Sequence, residues 1–257
     1  MRSELFSNNE GRISYRIESG LQEKPVVLRI IEPRELSKEN KKRELKFLFV
    51  LPVDQQNVYY HGDGLEQIAE TDLHDRHGLI LVAPEFCSLP WYCDHPGTKQ
   101  KDESFLVKEI VPLLESLYPA RKASRLLLGF SKSGWGALSL LLRNPAVFTA
   151  AAAWDTPLME SAPFNYGMKD SFGTQENFDK HRITNLFSEM ADSFRRNKRL
   201  GLFGYSYFRE QMAQAHDILV QLNIPHDWNN EMKREHRFGS GWEKEGIEAL
   251  VKMSGAL

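Results

Sequence analysis

One serine stands in a setting that can turn its hydroxyl into a nucleophile. Around Ser131 the chain reads R-L-L-L-G-F-S-K-S-G-W-G-A-L. An apolar run, Leu126 to Leu128, stops at Gly129, and the small residues Ser133, Gly134 and Gly136 follow the serine. This reads as a strand, a sharp turn carrying Ser131, and a helix packed closely behind it. A serine hydroxyl is weakly nucleophilic at neutral pH; it needs a base to take its proton and donors to hold the oxyanion that forms. The amide of Lys132, next after the serine and at the helix start, is one such donor. The same residues also fit a plain strand–helix junction with Ser131 as the cap. A phosphate-binding loop is excluded: Gly129 and Gly134 have its spacing, but Trp135 occupies the place of its lysine.

The base is expected near the C-terminus. His236 lies in M-K-R-E-H-R-F-G-S-G-W, between an expected last strand, His226 to Met232, and an expected last helix. His216 and His226 are neighbouring alternatives, one on a helix and one opening a strand. A lone histidine in a polar loop is also ordinary solvated surface.

The elements that would position these groups can be read from hydrophobic periodicity. Residues 46–53, 78–83, 126–128, 148–154 and 200–204 are short apolar runs without alternation, as in strands buried on both faces of a parallel sheet. Residues 12–19 alternate and read as an edge strand, with 25–31 as its partner. Helical faces fall between them: Leu106, Ile110, Leu113, Leu114 and Leu117 with a kink at Pro112; Leu138, Leu141 and Leu142, stopped by Asn144-Pro145; Met212, Ala215, Leu219 and Leu222; and Trp242, Ile247, Leu250 and Val251. Strands alternating with helices predict an α/β fold, a doubly wound and mostly parallel sheet in a single domain spanning 1–257. Residues 157–185, rich in Phe, Tyr, Gly and Asn, break the rhythm and read as a small cap or long loop insertion.

Composition narrows the function. A net charge of −2 lacks the basic excess of a nucleic-acid-binding domain. The first ten residues contain no apolar segment of a signal peptide, and no apolar run approaches a membrane span. Cys87 and Cys93 do not make a disulfide framework, so a cytoplasmic, reducing setting is expected. H-D-R-H at 74–77 lacks an evident third metal ligand and reads as solvated loop; H-G-D-G at 61–64 reads as a turn; the charged stretch 37–44 reads as a solvated connection, and R-R-N-K-R at 195–199 as a solvated helix end. No metal and no cofactor are expected, and oligomeric state is not legible.

The chain resembles the esterase D-like branch of the α/β-hydrolases, which includes acyl and feruloyl esterases, S-formylglutathione hydrolases and mycolyltransferases. The resemblance runs through W-Y-C-D at 91–94, E-S-F-L-V-K-E-I-V-P-L-L at 103–114, L-G-F-S-K-S-G-W-G-A-L at 128–138, P-A-V-F-T-A-A-A-A at 145–153, F-G-T at 172–174 and the stretch ending near His236. It covers most of the chain from about Lys46 onward. It implies an α/β-hydrolase fold, Ser131 as nucleophile and His236 as base.

Three departures stand out. The family's His-Gly-Gly turn is here L-P-V-D, Leu51 to Asp54; Pro52 has no amide, so Val53 or Asp54 would supply the second oxyanion donor. Ser133 replaces a glycine, at a modest packing cost. The family's acid follows a strand that here ends G-Y-S-Y, with Ser206 or Tyr207 at the expected aspartate. Any carboxylate reaching the imidazole would serve. Asp155, in A-A-A-A-W-D-T-P, ends the strand after the serine helix and is the favoured acid; Asp54, Asp94 and an acid-free dyad assisted by Tyr207 or water are alternatives. Trp91, Trp135 and Trp154 fit core packing or the wall of an apolar acyl site. These readings predict a serine hydrolase of small carboxylic esters; the altered turn and missing acid also fit a non-catalytic binding protein on the same scaffold.

Overall fold

Near-continuous apolar runs make the centre of one sheet, and their burial on both faces follows from helices covering each side. The structure is a computed structural model, and it describes residues 1–36 and 44–255. The expected solvated connection at 37–44 therefore lies, but for Glu44, outside the described residues. Nine strands form a single sheet among the described residues: β1 (Arg2–Asn9), β2 (Arg12–Glu18), β3 (Val26–Ile31), β4 (Glu44–Val50), β5 (Leu79–Pro84), β6 (Lys122–Phe130), β7 (Ala150–Trp154), β8 (Leu200–Tyr205) and β9 (His226–Lys233). Their spatial order is β1-β2-β3-β5-β4-β6-β7-β8-β9. From β5 to β9 every neighbouring pair is parallel; β1, β2 and β3 join antiparallel at one end.

The helices are α1 (Gly64–Glu70), α2 (Leu73–His77), α3 (Asp102–Phe105), α4 (Val111–Leu117), α5 (Ser131–Arg143), α6 (Met168–Phe172), α7 (Gln175–Asp179), α8 (Ile183–Phe194), α9 (Arg209–Gln221) and α10 (Glu243–Gly255). One apolar layer joins α4, α5, α8 and α9 to one sheet face; the other joins α1, α2 and α10 to the opposite face. This is the doubly wound, mostly parallel α/β sheet that the periodicity predicts. The chain runs β4 to β5 in one direction, then crosses to β6 on the other side of β4. That reversal leaves a crevice at the carboxyl ends of β4 and β6, where ligands of open α/β sheets bind.

Several local expectations change. The sheet edge is β1, not residues 12–19; its eight residues are all exposed, so no buried stripe marks it. Between α3 and α4 a π-helical stretch, Leu106–Ile110, accommodates the N–H that Pro112 lacks. H-D-R-H is not solvated loop: it forms α2, with Leu73 and His74 buried. The 195–199 stretch is not wholly solvated, because Arg199 bonds the carbonyls of Pro145, Phe148 and Thr149 at 2.7, 2.5 and 2.8 Å. Within 157–185, Met168, Phe172 and Phe178 enter the α5-side layer beside Trp91 and Trp135.

Candidate active site

Strand register brings Ser131 and Asp155 together. Phe130 on β6 pairs with Trp154 on β7, so the next residue of each chain leaves the sheet at the same level, on strands about 4.8 Å apart. Both turn sharply, with φ of 51° at Ser131 and 40° at Asp155. Left-handed backbone at such residues costs of order 1–3 kcal/mol and persists only where the surroundings enforce it.

At Ser131 the enforcement comes from both flanks. Ser133 Oγ accepts the N–H of Phe130 and donates to the carbonyl of the same residue, each at 3.0 Å. A Cβ on Gly129 would stand 2.2 Å from the Ser133 carbonyl oxygen, and one on Gly134 2.0 Å from Thr156 Oγ1. Ser133 is therefore no packing cost. It clasps both backbone groups of the residue before the serine. Ser131 keeps 9% of its surface accessible at the N-terminus of α5, where first-turn amides, that of Lys132 included, have no partner within the helix.

His236 arrives from the opposite end of the chain. Its loop, residues 234–242, is pinned by Phe238 N–H on the His61 carbonyl at 2.7 Å, Ser240 Oγ on the Glu235 carbonyl at 2.9 Å and Trp242 Nε1 on the Arg237 carbonyl at 3.1 Å. The imidazole packs against the rings of Tyr207, Phe130 and Phe208, at centroid distances of 5.0, 5.1 and 5.8 Å. Its Nδ1 lies 2.7 Å from Asp155 Oδ2. Asp155 is fully buried. Tyr207 N–H also donates to Oδ2 at 3.0 Å, and Phe208 N–H to Oδ1 at 2.8 Å. A buried carboxylate holding three donors is satisfied as an anion. An imidazole whose Nδ1–H faces that anion carries its lone pair on Nε2, the tautomer of a general base.

The G-Y-S-Y loop thus provides amides where the family resemblance expected a carboxylate. Gly204, at φ 116°, makes this possible: a Cβ there would stand 2.9 Å from the Asp155 amide nitrogen. The other candidate acids are engaged elsewhere. Asp54 Oδ2 is 3.2 Å from His61 Nδ1, and Asp94 accepts the N–H and hydroxyl of Ser104 at 2.9 and 2.6 Å. Among the described residues, Ser131 Oγ and His236 share no hydrogen bond; such bonds commonly tighten only when substrate is bound.

The turn after β4 is built without glycine. Beyond β4, Leu51 N–H continues the ladder to the Leu128 carbonyl at 2.9 Å. The hydroxyl of Tyr92, a fully buried residue, donates to the Pro52 carbonyl at 2.5 Å and fixes the turn. Burial pushes that phenol well above its usual pKa, so it remains a donor. The Val53 N–H has no hydrogen-bond partner among the described residues. The Lys132 ammonium is half-buried, and desolvation lowers its pKa while Asp54 opposes that shift.

The tryptophans are a correction. Trp91, Trp135 and Trp154 are all fully buried, Trp91 and Trp135 edge to face in one layer and Trp154 stacked on Trp242 in the other. Large apolar rings fill a core as readily as a pocket, and sequence does not separate the two. The H-G-D-G turn is more than a connection: it braces the His236 loop. His61 holds the His236 loop through its carbonyl and lies 6.1 Å, ring to ring, from His236. The paired glycines were the available signal: a Cβ on Gly64 would meet the Phe238 ring at 2.7 Å.

Comparison with known proteins agrees with the resemblance read from the sequence. The family model described as "Putative esterase" matches residues 90–182, a segment that includes Ser131, Lys132 and Asp155. No curated protein matches the chain. Among solved structures, an S-formylglutathione hydrolase from Agrobacterium tumefaciens superposes with a TM-score of 0.73 at 12% identity, over 98% of this chain and 99% of that one. The fluorophosphonate-binding serine hydrolase F of Staphylococcus aureus gives 0.72 at 14% identity, over 97% and 98%. A ferulic acid esterase gives 0.68 at 16% identity, over 100% and 98%. At these identities the likeness establishes the α/β-hydrolase fold.

Proposed function

We propose that this protein is a serine esterase that cleaves small carboxylic esters through an acyl-enzyme on Ser131. His236 Nε2 takes the Ser131 proton as Oγ attacks the ester carbonyl. Asp155 stabilises the imidazolium that results, and the amides of Lys132 and Val53 receive the oxyanion. The tetrahedral intermediate collapses, His236 protonates the departing alcohol, and water activated by the same imidazole then releases the acid. These steps require neither a metal nor an organic cofactor.

The observation that carries this reading is the 2.7 Å contact between His236 Nδ1 and Asp155 Oδ2, which joins residues 81 apart in sequence beside a serine in left-handed backbone. The match of residues 90–182 to an esterase family supports the reaction class. No helix among the described residues is long and apolar enough to cross a membrane. Cys87 and Cys93 are unpaired, in keeping with a reducing, cytoplasmic setting. The proposal treats residues 1–257 as one hydrolase domain with 157–185 as its insertion.

Hydrolysis of 4-nitrophenyl acetate tests the assignment. Wild type turns it over, and Ser131→Ala and His236→Ala reduce the rate to that of buffer. Equal rates in wild type and both variants would assign the activity elsewhere. The unbonded Ser131–His236 pair and the glycine-free turn favour a second reading, a binding protein without catalysis; it predicts a folded wild type with no turnover.

A further inference from the structure

β1 pairs with β2 on one side, and among the described residues no strand lies on its other side. All eight of its residues are exposed, Leu5 by 52% and Phe6 by 60%. Its outward N–H and C=O groups are a template for another extended chain. Proteins blunt such edges with charges and with bulges. β1 carries both devices, and together they leave one pairing open. Its ladder to β2 is regular from Arg2 to Leu5 and shifts between Leu5 and Ser7.

We propose that β1 is a self-association edge: two copies of this chain pair antiparallel about a two-fold axis at Ser3 and form one continuous sheet. A two-fold axis normal to a sheet keeps every side chain on its own face, so it passes between two copies of the same residue. Centred on Arg2, it sets two guanidinium groups opposite each other; centred on Glu4, two carboxylates. Like charges directly opposite are destabilising. Centred on Leu5, Phe6 or Ser7, the pairing crosses the shift in register, and beyond Ser7 only Asn8 and Asn9 of β1 remain. Centred on Ser3, Arg2 meets the partner's Glu4 and Glu4 meets the partner's Arg2.

The charges on β1 are free for this. Within one chain neither Arg2 nor Glu4 has an ion pair among the described residues. Glu18 of β2 stands opposite Arg2, and Arg16 opposite Glu4, with Arg16 Nε 3.6 Å from Glu18 Oε1. The joined sheet therefore carries, on one face, rows of alternating charge: Glu18, Arg2, the partner's Glu4, the partner's Arg16. On the other face Leu5 lies opposite Tyr15 and carries the apolar row of Ile13 and Ile17 toward the joint. One short strand pair is a small contact, so the dimer is weak and salt-sensitive. Five strand spacings separate β1 from β6, ~24 Å along the sheet, and the pairing leaves the Ser131 crevice uncovered.

Sedimentation velocity over a dilution series, on protein without an N-terminal tag, is the test. Wild type forms a concentration-dependent dimer that added salt dissociates. Arg2→Glu sets carboxylates opposite each other and Glu4→Arg sets guanidinium groups opposite each other, so each variant alone dimerises at least about tenfold more weakly. Mixed in equal amounts, the two variants restore both attractions and pair with each other. Oxidation with diamide links Ser3→Cys into a disulfide dimer, since opposed Cα atoms of an antiparallel pair lie ~4.5–5.5 Å apart, within disulfide reach. Ser7→Cys, past the bulge, is not linked. Circular dichroism checks that every variant is folded. A wild type that stays monomeric throughout would overturn the proposal, as would single variants that dimerise like wild type or a mixture that fails to pair. So would Ser3→Cys protein that, oxidised in cell extract, links to a different protein and never to itself.

Discussion

At the scale of single residues, a fully buried Asp155 accepting two backbone amides has one conspicuous further partner, the imidazole of His236. Asn in its place can present an amide N–H to Nδ1 and so favour the tautomer that donates from Nε2, which cannot take a proton from Ser131. Asp155→Asn is expected to keep the fold and lower kcat by ~10³–10⁴, measured with 4-nitrophenyl acetate alongside circular dichroism. Wild-type-like turnover would remove Asp155 from the mechanism. The position of this carboxylate was legible in sequence because it ends an apolar strand next in order after the serine helix. Its amide partners were not, since Tyr207 and Phe208 act through backbone that their side chains do not announce. Trp91, Trp135 and Trp154 misled for the opposite reason: their residue type suggested a pocket wall, while three-dimensional packing buries them completely.

At the scale of elements, the junction of β6 and α5 is held by a side chain the sequence pattern marked as a defect. Ser133 makes two hydrogen bonds to the backbone of Phe130 and has no exposed surface. Ser133→Ala leaves a buried N–H unpaired and is expected to cost about 1–3 kcal/mol, read from denaturant unfolding. The same variant should lower kcat more than it changes KM, since the turn presents Ser131, the proposed nucleophile. An unfolding midpoint identical to wild type would show that the clasp contributes nothing. The strands on either side were readable because both faces of a parallel sheet are apolar. Short α1 and α2 were not, because few apolar residues and a run of charged and histidine side chains hide one buried face. Exposed β1 carries no burial signal at all.

At the scale of the whole molecule, the fold brings three distant parts of the chain to one crevice: the turn after β4, the serine after β6 and the histidine loop after β9. The order of elements was predictable from alternating patterns, whereas the closeness of the His236 loop to the H-G-D-G turn depends on contacts between residues far apart in sequence. Global stability carries its own titration. Asp102 is fully buried, accepting Gln22 Nε2 at 3.0 Å and Gln100 Nε2 at 3.3 Å. Desolvation raises its pKa from 3.8 to about 7, against these bonds. The native state thus holds the proton more tightly than the unfolded chain, so this group's contribution falls as pH rises from 3.8 through about 7. Asp102→Asn should lose less Tm than wild type between pH 5 and pH 8 by scanning calorimetry; equal losses would contradict that. The central claim, that Ser131 is an activated nucleophile, is tested most directly by treating the folded protein with a fluorophosphonate and locating the adduct by mass spectrometry. The account predicts one phosphonylated residue, Ser131, and no labelling in His236→Ala; a folded wild type left unmodified at Ser131 would contradict it.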